Sequence, residues 1–498
     1  MRLKPTQPVQ MHRASSSLLL QVLLLGGGLF VSLIELTSPV YADKPALLQG
    51  VDRRADQAWE DARQIWDWAE PGYQEHRSSA LLVERLRQAG FQVQTGVAEI
   101  PTAFVARFGE GSPTLGLLAE FDALPGLSQE AIPERKPREA GGYGHACGHH
   151  LFGVASVTAA LALADQIKAG QQPGTVLLFG CPAEEGGAGK VFMTRAGLFE
   201  GCDAVLHWHP GNRNAAGDAS TLARMSAKFR FHGKAAHAAA APQEGRSALD
   251  GVELMNHAAQ LLREHTPEQT RIHHVITAGG DAPNVVPEFA EVYYYVRNPN
   301  AQATKAVFDR LVLCARGAAL ATETRLEIEH HGGTLEVLPN RVLADLAARN
   351  LRELNKVGYN EEELRFALRL RETLNDPPGL DTLATVFDQS GTVVRGSTDV
   401  GDVSWVVPTT GFTTACWVPG TPSHSWQAVA AGGTSIGRQG MLLAARVLAV
   451  TAWDLGHDPG ALKEARAELD RRLGERRYLP LMPADVNPIL DYRKRSKD

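Results

Sequence analysis

The amino-acid sequence predicts a two-domain α/β protein, an α/β/α sandwich around a mostly parallel sheet with a ferredoxin-like α+β domain inserted into it. Three observations point there. Short apolar runs alternate with helical patterns from about residue 50, the rhythm of strands joined by covering helices. Between residues 220 and 333 the order becomes strand, helix, strand, strand, helix, strand, which is the split β-α-β unit. Beyond residue 334 the first rhythm returns. The large domain is therefore discontinuous, 43–219 with 334–498, and the insertion covers 220–333.

Residues 52–69 and 78–89 carry helical spacing of apolar side chains, the second stretch ending at Gly90. Strands follow at 91–94, 104–108 and 115–120. Residues 151–169 form a long apolar helix closed by Gly170, and 175–179 and 204–208 are continuous apolar runs of buried-strand type. In the insertion, 225–231 alternates like a half-exposed strand and 248–264 is a helix. Strands at 271–278 and 291–297, a helix at 303–319 and a strand at 324–329 complete it. Helical patterns at 342–355 and 440–455 belong to the large domain, and the mixed charges of 463–477 mark a solvated helix. The proline-containing tail beyond Tyr478 carries no periodic signal.

Hydrophobic residues make up 44% of the chain and charged residues 21%, a soluble globular balance with a formal net charge of −6. No basic block runs through the body of the chain, so no nucleic-acid partner is expected. At the N-terminus, Arg2, Lys4 and Arg13 precede the apolar run 18–36, and Val40 and Ala42 are the small residues of a secretory cleavage site. A signal peptide over 1–42 is expected, and with it export to the periplasm. A membrane anchor is the alternative, disfavoured by Gly26, Gly27, Gly28 and Glu35. Of five cysteines, Cys147 lies between histidines and suggests a metal ligand; Cys181, Cys202, Cys314 and Cys416 read as small buried hydrophobes.

Four motifs supply metal-binding side chains. In Gly144-His145-Ala146-Cys147-Gly148-His149-His150, a thiolate and an imidazole two residues apart on a glycine-flexed turn can converge on one cation. Cys181-Pro182-Ala183-Glu184-Glu185 places two carboxylates at the carboxyl end of a buried strand, where open α/β sheets bind ligands. One can ligate while the other reaches a water; a solvated loop is the alternative. His207-Trp208-His209 and Ser423-His424-Ser425 add imidazoles, so thiolate, imidazole and carboxylate donors gather as a catalytic metal site requires. Asp122 is placed to orient a ligand histidine. In the insertion, His237 stands in a plain alanine stretch that invites a functional role, and Asn284 and Arg297 offer an amide and a planar cation for an anionic substrate. A surface histidine, a solvated loop and a surface charge are the plain alternatives.

On these motifs the chain resembles the metal-dependent aminoacylase and carboxypeptidase superfamily, in the branch of p-aminobenzoyl-glutamate hydrolase B subunits, indoleacetyl-amino-acid hydrolases and hippurate hydrolases. The likeness runs from about residue 52 to 449, and the stretch 396–405 with Thr421-Pro422-Ser423-His424 favours the B-subunit type. It implies a catalytic α/β domain and an inserted lid through which subunits dimerise. It also implies two divalent metal ions (zinc, manganese or cobalt) held by Cys147, His149, Glu185, His209 and His424, with Glu184 as general base. His237 resembles a lid histidine that reaches an active site across the dimer, and Asn284 and Arg297 resemble lid residues that hold a substrate carboxylate. The implied activity is metal-dependent hydrolysis of N-acyl or N-aroyl amino acids such as p-aminobenzoyl-glutamate, by a homodimer and with a second hydrolase subunit as a further partner. The alternatives are an exported dipeptidase or carboxypeptidase on the same scaffold and a non-catalytic subunit. His150 stands where the branch carries an acidic residue or asparagine, His207 is an additional histidine, and export is unusual for it.

Overall fold

Apolar strands that alternate with helices have to be covered on both faces, and the chain meets this by winding its helices around a single eight-stranded sheet. A computed structural model describes residues 44–493, so the expected signal segment lies outside the described residues. The first pass contains helices α1 (Lys44–Asp52), α2 (Ala55–Trp68) and α3 (His76–Gln88), then β1 (Gln92–Thr95), β2 (Phe104–Glu110) and β3 (Thr114–Ala119). It continues with α4 (His149–Lys168), β4 (Gly174–Gly180), α5 (Gly189–Arg195), β5 (Ala204–Gly211) and β6 (Asn214–Ala216). Helix α4 is long and apolar enough to cross a bilayer, but it is buried nearly all round beneath the sheet and is a core helix.

The insertion follows as β7 (Ala223–His232), α6 (Ala248–Arg263), β8 (Arg271–Ala278), β9 (Phe289–Asn298), α7 (Ala301–Ala321) and β10 (Arg325–Thr334). Its four strands lie in the order β10-β7-β9-β8, with every pair antiparallel. Ala290, Val292, Tyr294 and Val296 of β9 pack with Phe229, Met255 and Phe308 beneath the two helices, so the alternate residues face the other way.

The chain returns through α8 (Arg341–Leu354), α9 (Glu361–Arg371), β11 (Val386–Asp388), α10 (Val400–Ser404), β12 (Thr409–Ala415), α11 (Trp426–Gly432), α12 (Ser435–His457) and α13 (Pro459–Leu473). The large sheet runs β1-β2-β4-β3-β5-β12-β6-β11. Its central strands β4, β3, β5 and β12 are parallel, so their carboxyl ends share one edge, while β1, β2 and β6 add antiparallel neighbours.

The sequence reading did not contain α1, α5, α9, α10, α11, β6 or β11, and three further differences bear on the architecture. β12 escaped it because Thr-Thr-Gly-Phe-Thr-Thr-Ala hides a central strand behind β-branched but polar side chains. α13 is amphipathic, not fully solvated, and buries Leu462, Ala465 and Leu469. The tail is fastened to the large domain: Arg195 donates to the carbonyl of Val486, Gln74 to that of Leu490 and Tyr143 to that of Arg493.

Candidate metal centre

The shared carboxyl edge of β3, β4, β5 and β12 collects the ligand-type side chains. Gly148 turns the chain into α4 with φ +75°, and a Cβ there would lie 2.7 Å from Pro210, so glycine is required for the turn that aims Cys147 and His149. Cys147 Sγ lies 3.3 Å from His209 Nε2, and donor atoms of Cys147, His149 and His209 fall within 4.8 Å of one another. Cys147, Glu185 and His424 form a second such group. The loop after β4 reaches it through Ala183 at φ +58°, and His424 itself sits at φ +56°. Left-handed backbone at two non-glycine residues is strain of the kind that functional loops carry.

Asp122 ties the parts together. Its Oδ1 accepts from His149 Nδ1 at 2.8 Å and its Oδ2 from the backbone N–H of Glu185 at 3.0 Å. That orients the His149 ring, with Nδ1 toward Asp122 and Nε2 facing the pocket. Burial pushes the Asp122 carboxyl up, but His149 and these hydrogen bonds outweigh it and hold the group ionised. Burial works against charge on His149 as well, yet Cys147, Asp122 and Glu120 keep it above its ordinary value. His209 is pushed down to about 4, first by burial and then by His149, and is the neutral imidazole a metal takes. Glu184 is raised well above the usual carboxylate range by burial and by Glu120 and Glu185, so it holds a proton readily.

Several buried donors have no hydrogen-bond partner. Glu185 Oε1, His149 Nε2 and Glu120 Oε2 are orphaned, although His424 Nε2 approaches the first, and Glu120 the second, to 3.2 Å. Buried carboxylate, imidazole and thiol groups crowded together with orphaned atoms among them fit divalent cations, and the mixed donor set matches that chemistry.

The other histidines go elsewhere. His150 Nε2 meets the carbonyl of Gly432 and His145 Nε2 that of Ile65, their rings 4.9 Å apart in the core. His207 packs over Gly411 of β12, where a Cβ would come within 2.2 Å of its ring, and burial pushes it down to about 3. Neither His150 nor His207 joins a ligand group among the described residues.

The insertion splits its three candidates. His237 is exposed, and its Nδ1 accepts from the N–H groups of Ala239 and Ala240, which leaves the proton on Nε2. Asn284 lies beside it, its carbonyl accepting from Ala238. Both sit beyond the Phe289 end of β9, whereas Arg297 is at the other end of a strand that spans roughly 30 Å. One chain therefore does not bring Asn284 and Arg297 onto the same carboxylate. Arg297 belongs to the metal side, where its charge is felt by Glu184 and His424.

Sequence reasoning missed a buried ion cluster behind the ligands. Lys190 Nζ lies 2.6 Å from Glu120 and 2.7 Å from Asp399, all three essentially without solvent contact. Glu75, also fully buried, accepts from the N–H of Ala183 and from Thr102, and burial raises it to about 8. The one available signal was Lys190 itself, a lysine set among apolar residues.

Comparisons with known proteins give the relatives of this chain. A family model described as a peptidase dimerisation domain, of the M20 type, matches residues 222–323. The chain is 40% identical over 455 residues to the B subunit of p-aminobenzoyl-glutamate hydrolase from Escherichia coli, covering 86% of this chain and 95% of that one. It is 32% identical to mouse Xaa-Arg dipeptidase, covering 86% and 92%. A solved Bacillus subtilis structure, described as a dinuclear metal-binding peptidase from the M20 family, superposes with a TM-score of 0.54 at 16% identity over 82% of this chain and 99% of that one.

Proposed function

Because this chain belongs to the M20 family of metal-dependent peptidases and amidohydrolases, we propose that it hydrolyses the amide bond of N-acyl and N-aroyl amino acids, p-aminobenzoyl-glutamate among them, as an exported, periplasmic homodimer. The observation that carries this reading is the set of orphaned donors beside Glu184. Cys147, His149 and His209 would hold one divalent cation, and Cys147, Glu185 and His424 a second, with zinc, manganese and cobalt all suited to such donors. Bound there, the cations supply the Lewis acidity that polarises a carbonyl and acidifies a water.

The chain's own groups do the rest. The Glu184 carboxylate, with its raised affinity for a proton, takes one from the attacking water and passes it to the leaving amine. His237, its tautomer fixed by Ala239 and Ala240, presents an Nε2–H to the carbonyl oxygen as negative charge develops on it. The separation of His237 and Asn284 from Arg297 supports a site completed by two copies: His237 and Asn284 come from one subunit, Arg297 and the metal ligands from the other. Edge strand β8 and helix α6 carry exposed Val275, Ile276, Leu254 and Leu261, an apolar surface suited to joining the insertions.

The test is turnover of p-aminobenzoyl-glutamate, a benzoyl-amino-acid panel and dipeptides by the mature protein, with metal content measured on the same sample. Hydrolysis lost on chelation and restored by a divalent metal supports the proposal. Full occupancy without turnover of any amide would instead indicate a non-catalytic subunit or a missing second subunit. N-terminal sequencing of protein from the periplasmic fraction tests export and cleavage after Ala42.

A further inference from the structure

The face of the inserted sheet away from its helices treats the cations at its two ends differently. Strand register places Arg224 of β7, Arg297 of β9 and Arg271 of β8 in one row, each directly opposite the next. At the other end of that face, Arg230 pairs with Glu291, Glu327 and Glu329, and Lys228 also reaches Glu291. The arginine row has no such compensation. Among the described residues, no carboxylate lies within ion-pair distance of Arg224, Arg271 or Arg297. None reaches Arg395 either, which lines the same cavity from the large domain.

This cavity has a volume of about 700 Å³, and Arg271, Arg297 and Arg395 are its charged lining. Behind it, Arg224 is only 8% exposed, its Nε has no partner, and its guanidinium, like that of Arg297, lies over the ring of Tyr295. The Nε of Arg297 is also unpartnered. Guanidinium groups held side by side without a paired carboxylate repel one another, and Arg224 is buried as well, so the arrangement favours an anion. A single carboxylate occupies one guanidinium fork, and this row offers several. Leu222 and Val393 add apolar wall between the cations, suited to methylene groups.

We propose that this cavity is a second carboxylate subsite, which takes the side-chain carboxylate of an acidic amino acid in the leaving group, with Arg271 and Arg395 as its specificity-determining residues. The inference rests on the proposed amidohydrolase reading and narrows it. Arg297 grips the α-carboxylate near Glu184 and His424, and the side chain extends into the cavity toward Arg271 and Arg395. The subsite rejects a basic side chain, which would face guanidinium groups with no acid among them, so the preference of the Xaa-Arg dipeptidase relative does not carry over.

The experiment compares kcat/KM for N-benzoyl-glutamate, N-benzoyl-glutamine and N-benzoyl-arginine. The proteins are the metal-loaded wild type, Arg271→Gln with Arg395→Gln, and Arg395→Gln alone in case the double variant folds poorly. Calorimetry on the same proteins measures binding of glutamate, glutamine and inorganic phosphate. The wild type is expected to prefer the glutamate conjugate over the glutamine conjugate by about 10–100-fold, the worth of a charge-assisted hydrogen bond, and the ratio should collapse toward unity in the variants. Equal wild-type rates, preference for the arginine conjugate, phosphate binding as tight as glutamate, or a loss falling equally on all conjugates would each overturn the subsite. Selective glutamate binding that the variants lose, with no amide hydrolysed, would support the subsite while refuting the hydrolase reading.

Discussion

Replacing Asp122 by asparagine tests whether one buried carboxylate organises the metal centre. Asp122 is 1% exposed and accepts two hydrogen bonds, from His149 Nδ1 and from the Glu185 backbone. Asparagine keeps the shape but has only one oxygen. With that oxygen toward His149, its NH2 group confronts the N–H of Glu185; turned round, it confronts the Nδ1–H of His149. Either way one charge-assisted bond is lost, worth roughly 1.5–3 kcal/mol. Reorienting His149 or the Glu185 turn on binding metal then costs about that much, which corresponds to about 10–100-fold in affinity and matches what outer-shell partners of metal ligands contribute. Chelator competition would measure the affinity and kcat/KM the turnover. Thermal unfolding of the metal-free proteins would show that Asp122→Asn still folds. A folded variant with wild-type metal affinity and turnover would refute the reasoning.

Glu184→Gln should keep its metal and lose about 10²–10⁴-fold in kcat, as expected on removing a general base, and retained turnover would exclude the role given to Glu184. His237→Ala and Glu184→Gln homodimers should each be inactive, whereas mixing and reassembling equal amounts should restore about a quarter of wild-type activity, because half the dimers are mixed and each holds one complete site. No recovery would mean that His237 acts within its own chain. Asp402 is raised to about 7 by burial, against hydrogen bonds from Leu335 and Tyr478. Its folded form therefore keeps a proton that the unfolded chain releases, and stability should fall as pH rises from 4 to 7, by up to about 4 kcal/mol. Asp402→Asn should flatten that slope in denaturant titrations at pH 5 and pH 8, since its amide can donate to Tyr478 while its oxygen still accepts from Leu335.

The residue types of the candidate metal centre, which the structure brings together, were legible in the sequence because a thiol, imidazoles and paired carboxylates stand at successive strand ends. Which member of a cluster points inward was not. His149 and His150 are adjacent on α4, so their side chains diverge by about 100° around the helix, one to the pocket and the other to Gly432. Strand order in the insertion was readable from periodicity, but the arginine row depends on register. A slip of one residue between β7 and β9 would send Arg224 into the core, and no single-strand pattern reveals that alignment. The Lys190, Glu120 and Asp399 cluster joins segments far apart in sequence, so tertiary folding alone assembles it.

The same cluster bears on what the cations do for the fold. Glu75, Glu120, Asp122 and Asp399 are each no more than 1% exposed, and Glu184 and Glu185 adjoin them. Among the described residues, the buried positive charge in contact with them is Lys190, helped by His149. Six carboxyl groups in one buried cluster, with Glu75, Glu120 and Glu184 raised by burial, leave the metal-free site electrostatically costly, and the orphaned donors lie where a cation would offset it. Divalent cations should then stabilise the whole chain as well as activate it. A ligand at a thousand times its dissociation constant adds about 4 kcal/mol to a state that alone binds it. Chelation should lower the unfolding midpoint, and Glu185→Gln should reduce the shift because it removes a donor and leaves the shape. An unfolding midpoint indifferent to metal would mean that protons already balance these charges, and that the donor geometry arises from packing alone.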